Sequence, residues 1–84
     1  MSALEKLEEI NRDLEEAVKL IRGASIKANV LSGEMLKKGE RDLSVELKLL
    51  KEAVDKMLVE MGDGIRDCDM WIRSIRRKLE EVSL

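Results

Sequence analysis

Apolar residues recur at alternating spacings of three and four from Leu7 to Met35, through Ile10, Leu14, Ala17, Ile21, Ala24, Ala28 and Leu31. Such a run fills the first and fourth sites of a seven-residue repeat and predicts a long amphipathic helix with a narrow apolar seam. A second run follows through Leu43, Leu47, Leu50, Val54, Met57 and Met61, then Cys68, Ile75 and Val82. The 84 residues contain no proline, so no residue forces either run to end. In this reading Asn11, Ser25 and Ser32 flank the first seam.

The clearest stop signal is Lys37-Lys38-Gly39. Two cations stand where the carbonyl end of a helix favours positive charge, and glycine can take the left-handed closing conformation. Asp42 or Ser44 then stands as a candidate cap for the next helix. The expected architecture is a single all-α domain. Helix 1 runs over about 3–38, a turn over 39–42, and helix 2 over 43–82 with a kink or break at 62–64, where Gly62 and Gly64 flank Asp63. So short a connection favours an antiparallel hairpin, and Gly23 and Gly33 are further candidate weak points in helix 1.

Charge supports the same topology. Residues 1–16 carry Lys6 and Arg12 against Glu5, Glu8, Glu9, Asp13, Glu15 and Glu16, while Arg73, Arg76, Arg77 and Lys78 cluster near the end. A chain folded back near residue 40 sets the acidic start beside the basic finish, with residue 8 near residue 73.

The apolar pattern exceeds what two helices can bury against each other. Ile26, Val30 and Leu36 lie off the first seam. Around Gly62-Asp63-Gly64 the stripe moves sideways, and a second row of Leu58, Ile65, Ile72 and Leu79 runs beside the first, with Trp71 continuing an older row. A face this wide predicts an interface, with Ile26, Val30, Leu58, Ile65, Trp71, Ile72 and Leu79 as the partner-binding residues. The occupant would be a second copy, giving a homodimer, or a helix of another protein, completing a four-helix coiled-coil bundle. A self-contained three- or four-helix monomer is the competing arrangement.

Composition limits the chemistry. With no histidine and one cysteine, the chain has no histidine-based triad, no His-containing zinc site and no internal disulfide. The seam is almost wholly apolar, and its polar members Lys38, Cys68 and Lys78 lie far apart in sequence. No catalytic, cofactor-binding or metal-ligating residue is therefore assigned, and the expected function is non-enzymatic. Cys68 reads as a small packing residue, since Asp67 and Asp69 oppose thiolate formation beside Arg66 and Arg73. Arg73, Arg76, Arg77 and Lys78, with Trp71 beside them, form an electrostatic patch. On a chain of net charge −2 that patch reads as the complement of acidic helix 1 rather than a nucleic-acid site. The Glu-rich start lacks a signal-peptide core, and no stretch approaches the roughly 18 uncharged residues of a transmembrane helix. A lone thiol suits a reducing compartment, so a cytoplasmic location is expected.

Two resemblances add alternatives. Val54, Leu58, Met61, Ile65, Cys68, Ile72, Ile75, Leu79 and Val82 are spaced like the layers of a SNARE motif. Met61-Gly62-Asp63-Gly64-Ile65 resembles the segment before the central layer of synaptosome-associated-protein-type SNAREs. That resemblance implies a membrane-fusion coiled-coil segment, although Cys68 stands where the family's central layer has Gln or Arg. Leu7 to Leu20 resembles the first helix of the helical chorismate mutases and implies a small helical-bundle enzyme. The arginine that family carries after its Leu-Ile pair is absent here, where Arg22-Gly23-Ala24 follows Ile21.

Overall fold

The computed structural model describes residues 2–83. Three helices account for nearly all of them: α1 (Ala3–Lys37), α2 (Arg41–Glu60) and α3 (Gly62–Ser83), with no strand among the described residues. The fold class is an all-α helical hairpin whose second arm is interrupted at the single residue Met61.

Local chemistry sets each boundary. Ser2 accepts a hydrogen bond on its Oγ from the backbone N–H of Glu5, 3.1 Å away, and so caps the start of α1. At the other end the Gly39 N–H donates to the Leu36 carbonyl at 3.1 Å, and the Glu40 N–H donates to the Met35 carbonyl at 2.9 Å. This pair of bonds is a Schellman closure, and Gly39 supplies its left-handed residue at φ 81°. The stop expected at Lys37-Lys38-Gly39 is therefore the observed one.

The start of α2 differs from expectation. The Ser44 N–H donates to the Glu40 carbonyl at 3.0 Å, so Glu40 occupies the capping position and the helix begins two residues earlier than predicted. Asp42 lies in the first turn, and Ser44 turns inward and is buried. The interruption between α2 and α3 falls at Met61, one residue ahead of the Gly62/Gly64 pair. The Ile65 N–H donates to the Met61 carbonyl at 2.8 Å across it. Gly23 and Gly33 lie inside α1 without breaking it.

The chain divides into two compact units. Unit 1 combines the stretch of α1 up to Ala17 with the chain from Met61 onward. Its buried apolar residues are Leu7 and Ile72, with Leu4, Asn11 and Leu79 half-buried. Arg76 forks onto Glu8 there, with Nε 2.6 Å from Oε1 and Nη2 3.1 Å from Oε2. This contact joins the acidic start to the basic finish three residues further along than expected.

Unit 2 runs from Val18 to Glu60 and is the helix–turn–helix around Gly39. The buried positions of its seam are all small residues. Ser25, Ala28, Ser32 and Ser44 are buried, and Ser32 is 0% exposed. The Ser32 hydroxyl donates to the Ser44 carbonyl at 2.8 Å, and the two hydroxyls lie 2.9 Å apart. With one proton each, Ser32 is satisfied as donor to the carbonyl and Ser44 as donor to Ser32. A side chain one carbon long that reaches a neighbouring helix's carbonyl requires the two backbones to approach closely there.

Two glycine substitutions separate closure from propagation. Gly39→Ala places a Cβ in the left-handed region and should lower unfolding free energy by about 1 kcal/mol. Gly33→Ala sits inside α1, where an added Cβ meets nothing within 4 Å, and should raise it by about 0.5–1 kcal/mol. Urea unfolding followed by circular dichroism reads both. Equal effects of the same sign would contradict the Schellman assignment.

Candidate interaction surface

Exposure along each helix identifies which rows meet inside the units and which stay open. In α1 the half-buried or buried positions are Leu4, Leu7, Glu8, Asn11, Val18, Ile21, Gly23, Ser25, Ala28, Ser32 and Met35. The row containing Asn11, Ser25 and Ser32 is thus at the centre of the seam, not at its flank as the periodicity suggested. The row of Ile10, Ala17, Ala24 and Leu31, seven residues apart and expected inside, is exposed.

The same rotation appears in α2. Ser44, Leu47, Lys51, Val54, Asp55 and Leu58 face the seam, while Leu43, Leu50 and Met57 form an open row. Leu50 retains 54% of its surface. Within unit 2 the open Leu31, Leu43 and Leu50 and the half-buried Met35 and Leu47 wall an open groove of about 400 Å³, with Glu46 at its rim. That volume is at the small end for a ligand site, and the groove carries no convergent polar groups. Its lining suits inserted side chains of another helix.

The seven expected partner-binding residues divide among three environments. Ile72 is buried and Leu58 and Leu79 are half-buried, so these three belong to the seams of their own units. Ile65 is partly open, and Trp71 is 59% exposed beside Met70 and Ile75 on α3. Ile26 and Val30 are exposed, but helical spacing puts them on the shoulder of α1 away from the groove, among Lys19, Arg22 and Lys37. The structure therefore does not gather the seven onto one face. The groove residues were missed because their heptad spacing assigned them to the internal seam. The signal that could have found them was the serine pair Ser32 and Ser44, placed near-symmetrically about the turn.

Two of the four cations of the patch are paired. Arg76 is held by Glu8, and this contact raises its guanidinium still further above its ordinary value. Arg73 pairs with Asp69 at 3.0 Å within α3. Arg77 and Lys78 are exposed, with no ion pair among the described residues. Cys68 is exposed rather than buried as the sequence reading supposed.

One polar cluster sits in the seam of unit 2. Lys51 Nζ donates to Asp55 Oδ2 at 2.6 Å, and Ser25 Oγ donates to Asp55 Oδ1 at 2.5 Å. The hydrogen bond from Lys51, then that from Ser25, lowers the Asp55 pKa below its ordinary 3.8 against a partial opposing effect of burial. No group of three or more Cys, Asp or Glu side chains arranged to hold a metal ion occurs among the described residues. No helix among them is long and apolar enough to cross a membrane.

Residues 54–82, the SNARE-like stretch, are divided between α2 and α3 at Met61. No protein-family model, curated protein or solved structure matches the chain.

Asp55 gives a pH test. A depressed folded-state pKa contributes stability that is complete above the unfolded value and lost as pH falls through the folded one. The stability difference between wild type and Asp55→Asn should therefore shrink between about pH 5 and pH 2. Urea midpoints across that range measure it. A constant difference would show that the carboxylate's charge is not what Ser25 and Lys51 hold.

Proposed function

We propose that this chain is a non-enzymatic helical protein–protein interaction module, of the adaptor, chaperone or assembly-subunit kind. It acts by laying heptad-spaced Leu and Met rows against helices of its own kind or of another protein. One observation carries this reading. Within unit 2, Leu31, Leu43, Leu50 and Met57 each keep 40% or more of their surface open along one side of the seam. Leu7, Ala28 and Ile72 are the buried apolar residues among those described, while Leu, Ile, Val and Met side chains stand open along all three helices.

An apolar surface of this extent loses free energy in water at about 25 cal/mol per Å², and docking recovers part of it after the costs of association. The site offers packing and no convergent catalytic groups, which supports an interaction role over the small-enzyme alternative.

The reading is tested by affinity capture with the full chain as bait and Leu50→Glu as comparison. Leu50 is open and off the seam, so the variant should keep its helical circular dichroism. Proteins retained by wild type, its own copies included, should be lost or reduced about tenfold on the variant. An identical set on both baits overturns the reading.

A further inference from the structure

The reading above leaves the occupant of the open face unnamed, and the following step rests on it. We propose that the groove face of unit 2 is covered by a second copy of the same chain. The two copies stack face to face about a two-fold axis parallel to the helices, so that α1 of each copy lies over α2 of its partner.

The chemistry of the face is the first argument. Its centre is uncharged: Leu31, Met35, Leu43 and Leu50 line the groove, and Met57 extends the α2 row. Charge-free apolar centres characterise homodimer interfaces, whereas exchanging partners meet over more polar ones.

The margins of the face supply the second argument. By helical spacing the α1 margin carries Lys27 and Lys38 with Glu34, and the α2 margin carries Asp42 and Glu46. Lys27, Lys38, Asp42 and Glu46 are all exposed and make no ion pair among the described residues. A two-fold axis parallel to the helices sets each lysine-bearing margin over an acidic one. An axis perpendicular to the helices sets the acidic α2 margins over each other. The Ser32–Ser44 contact fixes the level of the helices in unit 2, and from it Glu46 stands level with Val30, within about one turn of Lys27. The face is thus complementary to itself in one orientation, which also leaves every neighbouring pair of helices antiparallel.

Light scattering coupled to size exclusion, with sedimentation equilibrium for the dissociation constant, tests this on the full chain. Wild type is expected as a dimer. Leu50→Glu should weaken association by about 30-fold or more while staying helical, and Met57→Gln should weaken it less. Glu46→Lys should weaken it, and adding Lys27→Glu in the same chain should restore it. Val45→Glu, on the opposite shoulder of α2, should leave it unchanged.

A dimer unaffected by Leu50→Glu and Met57→Gln, or a double charge reversal that fails to restore association, overturns the proposal. A monomeric wild type that still loses another protein on Leu50→Glu overturns the second copy while the interaction reading stands. A monomer whose captured proteins are also unchanged by Leu50→Glu overturns both.

Discussion

The contact between Ser32 and Ser44 decides how α1 and α2 meet, and the open face follows from it. Both hydroxyls are buried, and a buried hydroxyl without a partner costs about 1–3 kcal/mol. They satisfy each other and the Ser44 carbonyl only if both helices turn these positions inward. Rotating either helix to bring Leu31 or Leu43 into the seam would carry the serines out of contact. The polar pair is thus a constraint on orientation more than a source of attraction. It holds the rows of Leu43, Leu50 and Met57 and of Ala24 and Leu31 away from the seam.

This arrangement explains why the chain folds with so small an internal core. Ser25, Ala28 and Ser32 bring little apolar area into the seam, although they permit close backbone approach. The larger side chains sit one row over, half-covered along the groove or fully open beside it. Hydrophobic stabilisation scales with area removed from water, so much of what this sequence can gain lies on surfaces not yet covered. A chain of this length is marginal as a compact monomer, and heptad rows left outside the seam remove little apolar area from water.

Much of the fold was legible because its signals are local. The Lys37-Lys38-Gly39 stop rests on backbone chemistry within six residues, and the Glu8–Arg76 pairing on charge blocks too asymmetric to overlook. The orientation of the helices was not legible in the same way. A heptad pattern has two flanks, and Ser25 and Ser32 read equally well as solvated neighbours of the seam or as its centre. Sequence spacing cannot show that Ser32 and Ser44 meet until the turn and the register are known. The same ambiguity placed Ile72 and Leu79 on the expected partner surface when they pack within unit 1, and placed Leu31 and Leu50 inside when they are open.

The two shoulders of the seam differ in a way that bears on function. Both carry exposed aliphatic residues, so exposure alone does not distinguish them. Around Ile26 and Val30 the helical surface is interleaved with Lys19, Arg22 and Lys37, whose hydration must be disturbed before a partner can pack. On the groove side, leucine and methionine run without interruption, and the charges stand only at the margins. Covering that side would desolvate few charges. That division into an apolar centre with charged margins is what sets the groove side apart from the other shoulder. In unit 2 that division exists because two serines took the place that the heptad leucines would otherwise fill.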